Sequence, residues 1–184
     1  MMGAIAGDII WGNGSAMRVA PIGWACSSQD EVRAEARRSA AVTHDHPEGI
    51  RGAQATAVAV FLARQRWEKD DIRRHLSAEF GYDLSRPLDT IRPTYQFDVS
   101  CQGSVPESIC AFLESCDYED AVRNAVSLGG DADTMACIAG GIAEAFYGGV
   151  PAEIERHALQ RLDPRLQRIV RQFRERFVWP DVRP

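Results

Sequence analysis

The stretch Gly129-Gly130-Asp131-Ala132-Asp133-Thr134, running on through Met135-Ala136-Cys137-Ile138-Ala139-Gly140-Gly141-Ile142-Ala143-Glu144-Ala145-Phe146-Tyr147, decides the fold. Residues 133–147 are apolar nearly all round and rich in Ala and Gly, which predicts a central helix almost fully buried by its neighbours. The glycine pair breaks whatever precedes it, so Asp131, Asp133 and Thr134 fall at the N-terminus of that helix. Two carboxylates spaced by one residue in a turn can face one ion, and with a hydroxyl they offer the oxygen ligands that magnesium takes. The plain alternative is a helix cap, a common use of Asp. A cap accounts for one Asp and not for two plus a Thr; the residues alone leave both readings open.

Outward from this point the chain reads as helices. Tyr118–Leu128 predicts a helix burying Ala121, Val122, Ala125 and Val126 and ended by the glycines. Ser104 and Glu107 have capping-box spacing, with Ile109, Phe112, Leu113 and Cys116 on one face behind them. Further back, Ser28 and Glu31 repeat that spacing before an alanine-rich helix to about Val42, Pro47 opens another to about Trp67, and Gly81 ends one carrying Ile72, Leu76 and Phe80. Gly3 and Gly7 suit a closely packed helix over residues 2–10. Residues 82–103, with Pro87 and Pro93, predict a long loop in which Tyr95, Phe97 and Val99 permit a short strand. After the central helix, Pro151 opens a short helix, and Asp163-Pro164 caps a last one whose face is Leu166, Ile169, Val170, Phe173 and Phe177. The expected architecture is all-α, compact and multi-helical, a single domain over residues 1–184.

Three other segments could carry chemistry. Gly12-Asn13-Gly14-Ser15-Ala16-Met17-Arg18 is a glycine-punctuated loop whose amides can form an anion nest, with Arg18 as a charge-assisted phosphate contact; a tight turn with a surface Arg is the plain reading. His44 and His46, near Glu48, lack a third ligand at zinc spacing, which favours a substrate contact or a helix cap. Cys101-Gln102-Gly103-Ser104 invites a nucleophile, but Ser104 is well placed as an N-cap.

Composition narrows the function classes. A net charge of −5 argues against a general nucleic-acid or membrane-surface binder. The Met1–Ile5 start has no basic leader and the longest apolar run is too short to span a bilayer, so a cytoplasmic location is expected. Five cysteines without CxxC spacing favour reduced thiols in the core.

Taken together, Gly3-Ala4-Ile5-Ala6-Gly7-Asp8, the Gly12–Arg18 loop, Thr43–Pro47, Gly103-Ser104-Val105-Pro106 and Gly129–Thr134 resemble, in order, the motifs of the ADP-ribosylglycohydrolase family. The resemblance implies an all-helical fold with two magnesium ions at the floor of a cleft. It implies metal ligation by Asp131, Asp133 and Thr134, a diphosphate against Gly12, Asn13, Gly14 and Ser15, and a substrate-facing His44. The implied reaction is magnesium-dependent hydrolysis of ADP-ribosyl linkages, with ADP-ribose or an ADP-ribosylated protein as partner. The chain departs from the family between Ile10 and Gly12, where it is internally shortened: a Glu and a Thr-Asp-Asp motif with the remaining ligands are missing. That leaves one weak magnesium site, an impaired hydrolase and no assigned catalytic residue. Asp8 and Glu48 are the nearest acidic candidates. The alternatives are a non-catalytic ADP-ribose or nucleotide binder and a structural, crystallin-like protein. Loss of helices would also bare apolar surface that a homo-oligomer could cover.

Overall fold

The computed structural model describes residues 11–177, so the expected first helix, Asp8 and the junction after Ile10 lie outside the described residues. Ten helices follow one another: α1 (Ala20–Ala25), α2 (Gln29–Ala41), α3 (Pro47–Arg64), α4 (Lys69–Phe80), α5 (Leu88–Ile91), α6 (Cys101–Glu114), α7 (Tyr118–Ser127), α8 (Ala132–Tyr147), α9 (Ala152–Gln160) and α10 (Pro164–Phe177). The only pairing outside them among the described residues is one antiparallel bridge between Gly12 and Ser100, so no strand forms at Tyr95–Val99.

Helix α3 is buried from Gly49 to Ala63 on nearly every side, and together with α6 and α8 it forms the centre. Small side chains make this packing possible. A Cβ on Gly52 would come within 2.5 Å of Cys101 Sγ, so glycine there lets the start of α6 lie directly on α3. The rest of the α8 expectation is corrected in one respect. Thr134, Met135, Ile138, Ala139, Ile142 and Ala143 are buried, but Asp133 and Cys137 are exposed and Gly141 and Glu144 half-buried, leaving one face of α8 open.

Caps fix several boundaries. Ser28 accepts from the Glu31 amide at 3.2 Å and Asp117 from the Asp120 amide at 2.7 Å. Gly81 closes α4 with φ +71°, where a side chain would be strained. Asp163 caps α10 through the amides of Arg165 and Leu166. Helix α6 starts earlier than its capping-box spacing suggests: Ser100 accepts from Gly103 N at 3.1 Å and is the cap, while Ser104 lies buried inside the helix, donating to Ser100 O at 2.6 Å. The short α5 lies inside the expected loop of residues 82–103, and α1 forms in a segment for which the sequence suggests no element.

The thiols divide. Cys26, Cys101 and Cys110 are buried, but Cys116 and Cys137 are exposed, against the expectation of core positions. No residue of α9 or α10 is buried, and Leu166 and Ile169 are 45% and 50% exposed, so the apolar face of the last helix is only partly covered. Among the described residues no helix is long and apolar enough to cross a membrane.

Candidate functional site

The segments singled out in sequence converge on Asn13. Its backbone is pinned by donation to Val99 O at 2.8 Å, and its carbonyl accepts from Ala16 and Met17, which folds residues 12–17 into a tight turn. Its side chain is 6% exposed. The amide Nδ2 donates to Ser104 Oγ at 3.1 Å on α6 and to Asp131 Oδ2 at 2.7 Å at the head of α8. Both amide hydrogens are thereby engaged, and Asn13 acts as a brace between the turn and the carboxylate.

Asp131 occupies the N-cap position of α8 without capping it: its backbone is at φ −81°, ψ 63°, and its side chain takes no bond from the helix amides. The plain capping reading therefore fails for this residue. Asp133 is fully exposed, and its carboxyl is held below the usual range first by its hydrogen bond with Asp131, then by the amides of Thr134 and Asp133 itself. Two carboxylates thus stand together with an open side to solvent. The Thr134 hydroxyl, buried beside them, donates weakly to Met17 Sδ at 3.6 Å and keeps its lone pairs. The donor set is all oxygen, which suits a hard cation. Among the described residues no third acidic side chain, His or Cys completes a cluster with them. The residues fit one such ion.

The turn before Asp131 demands glycine twice. Gly129 and Gly130 have φ +76° and +66°, in the left-handed region. A Cβ on Gly130 would also lie 2.7 Å from the ring of Tyr95. Tyr95 donates to Gly103 O at 3.0 Å, and its hydroxyl pKa is raised, chiefly by burial and then by Glu107, Asp98 and Asp131.

His44 closes the other side of the Gly12–Ser15 turn, for a Cβ on Gly14 would fall 3.1 Å from its Nε2. Arg18 Nη2 donates to Thr43 Oγ1 at 2.7 Å and to Ser39 O at 2.8 Å. Thr43 Oγ1 in turn hydrogen-bonds His44 Nδ1 at 2.7 Å, and Nε2 faces the turn. Burial first and the Arg18 charge second lower the His44 pKa, favouring the neutral ring. Arg18 anchors this chain of contacts through Nη2. Among the described residues the amides of Gly14 and Ser15 have no acceptor, so the turn retains donors for an anion. The Ser15 hydroxyl is fully buried and donates to Gly49 O at 2.8 Å, so only its backbone can serve a ligand.

Other candidates resolve as structural. His46 caps α3 by accepting from Glu48 N at 3.2 Å. Glu48 pairs with Arg51 at 3.0 Å. Burial pushes the Cys101 thiol up to about 11, against a smaller opposing bond from Ser15, so it stays protonated and unreactive. Sequence reasoning missed the Thr43 link, the Ser100 cap and Tyr95 against Gly130. No local pattern signals contacts between segments so far apart.

Comparison with known proteins bears on the fold and the family. The ADP-ribosylglycohydrolase family pattern matches residues 2–181. ADP-ribosylhydrolase ARH3 of Homo sapiens is 34% identical over 183 aligned residues, covering 75% of this chain and 50% of the relative. ARH3 of Danio rerio is 28% identical over 184 residues with the same coverage. A solved ADP-ribosylglycohydrolase-related protein complex superposes with a TM-score of 0.67 at 27% identity, over 89% of this chain and 58% of that one. The chain therefore spans about half the length of the relatives it matches.

Proposed function

This chain belongs to the ADP-ribosylglycohydrolase family, and we propose on that footing that it binds ADP-ribosyl groups across the Gly12–Ser15 turn and hydrolyses their linkages with magnesium, at a rate limited by half a ligand set. The observation that carries the reading is the Asn13 amide, which holds a donor-bearing turn and the paired Asp131 and Asp133 carboxylates in one site. Asp131, Asp133 and Thr134 would hold the ion. Bound there, magnesium supplies Lewis acidity and a water of lowered pKa.

The chain's own groups do the rest. The amides of Gly14 and Ser15, which have no acceptor among the described residues, receive phosphate oxygens, and His44 faces the ligand with Nε2 from the opposite side. Asn13 fixes the rotamer of Asp131. Neither a general base nor a third carboxylate joins the pair among the described residues, and the sequence has no Thr-Asp-Asp. That observation favours, as a second reading, a chain that binds ADP-ribose without turning it over, since contacts that bind and contacts that lower the barrier are different groups.

The test is calorimetric titration with ADP-ribose, with and without magnesium, beside release of ADP-ribose from Arg- and Ser-linked peptides. We expect binding and slow, magnesium-dependent release that disappears in Asp133→Ala. Binding with no release selects the second reading. Absence of binding overturns both and leaves a structural protein on this fold.

A further inference from the structure

A second cavity, of about 430 Å³, opens where the loop after α5 meets the first turns of α6, walled by Arg86, Tyr95, Phe97, Asp98, Gly103 and Glu107. It adjoins the candidate site through Tyr95, whose ring rests against Gly130, the residue before Asp131. None of its polar groups has a part in the function proposed above.

Its chemistry is lopsided. The Glu107 side chain is only 8% exposed, and its Oε1 accepts from Arg86 Nη2 at 2.5 Å. Its Oε2 is buried and has no hydrogen-bond partner. That oxygen is enclosed, so the Glu107 charge is offset by Arg86 from one side only. Asp98 adds a second carboxylate, with Oδ1 held by Ser100 N at 2.7 Å. One guanidinium against two carboxylates leaves the wall with a formal charge of −1. At the rim, Phe97 is 70% exposed, an aromatic face turned to solvent beside these acids. A one-sided ion pair, a net negative wall and a bare aromatic face together select a cation on an apolar stem, because the stem and charge can lie over the ring while the N–H groups face the acidic wall.

We propose that this cavity is a subsite for a basic side chain, Lys or Arg, of an ADP-ribosylated polypeptide whose modified residue lies at Asp131. The identity of that polypeptide as substrate rests on the function proposed above; the preference of the cavity for a cationic side chain does not. Gly103 contributes here as well, since a Cβ on it would collide with the Asp98 carboxylate.

Two measurements keep these layers apart. In the first, N-acetyl-arginine amide and N-acetyl-lysine amide are titrated into the isotope-labelled protein while the backbone amide signals of Gln96, Asp98 and Gly103 are followed. Saturable shifts are expected with one or both, none with N-acetyl-glutamine amide, and an affinity loss of about tenfold in Phe97→Ala or Glu107→Gln. Phe97 is exposed, so its removal leaves the fold intact, and Gln at 107 still accepts from Arg86. In the second, ADP-ribosylated peptides with and without a basic neighbour are compared. The basic peptide should bind about tenfold more tightly, an advantage erased by Phe97→Ala while free ADP-ribose affinity is unchanged. Shifts that never saturate, or a basic-peptide advantage that survives both substitutions, overturn the subsite. Saturation by the arginine probe in a protein that fails to bind ADP-ribose supports the cavity's preference and removes the function instead.

Discussion

At the scale of single residues the site depends on two side chains, Asn13 and His44. Asn13→Ala removes both bonds from a buried side chain and leaves Ser104 Oγ and the Asp131 carboxylate without their donor. The expected cost is roughly 1–3 kcal/mol of stability and, because the brace orients a ligand, about a tenfold loss of magnesium affinity. Denaturant unfolding and metal titration read the two effects separately; a variant with wild-type values in both would show that Asp131 needs no brace. His44 sets a pH dependence. Its folded pKa lies below the ordinary 6.5, so the folded chain binds fewer protons than the unfolded one in that window. Its contribution to stability is present above pH 6.5 and is lost as pH falls through the lower folded value. Comparing unfolding midpoints of wild type and His44→Gln between pH 7.5 and 5 should show the wild type falling more steeply below 6.5. Parallel curves would place the titration elsewhere. Binding of ADP-ribose should be flat from pH 8 down to 6.5 for the same reason.

At the scale of elements, α4 is fastened by its first residue. Lys69 donates to Ser115 O and, at 2.9 Å, to Tyr147 Oη, and its ammonium lies 5.1 to 5.4 Å from the ring centroids of Phe112, Phe146 and Tyr147. Burial lowers its pKa. Lys69→Met keeps the stem and removes the donor, and should destabilise the fold by about 1–3 kcal/mol without altering ligand binding; an unchanged unfolding midpoint would show these contacts to be ornamental. Helices with a clean apolar period and a local cap, such as α2, α4 and α7, were legible in sequence because both signals lie within one segment. Helices α1 and α5 were not, being too short for a period to register. The start of α6 slid because Ser100 and Ser104 both suit an N-cap, and only packing chooses between them. The amphipathic face of α10 was legible, but periodicity does not say what covers a face, and Leu166 and Ile169 remain exposed. In the site, the Gly-Gly turn and the acids at the head of α8 stood out locally, whereas the Arg18–Thr43 contact, 25 residues apart in sequence, has no local signal.

At the scale of the whole molecule, one ion at Asp131 and Asp133 should be visible as stability. Magnesium at about ten times its dissociation constant should add roughly 1.4 kcal/mol, raising the melting temperature by a few degrees. The double variant Asp131→Ala with Asp133→Ala should show no rise, and one weak site should appear by calorimetry. Two tight sites would mean that residues beyond this pair supply ligands.

The Asn13 junction also bears on the order in which the molecule assembles. Its two side-chain bonds join residues 91 and 118 positions apart along the chain. Contacts of such separation carry the largest loop-closure cost and form after the local helices are in place. On this argument the site is expected to form late in folding. Any substitution that loosens the docking of α6 or α8, however distant, lowers the population of competent sites in proportion, so activity should track native-state population across a series of core variants.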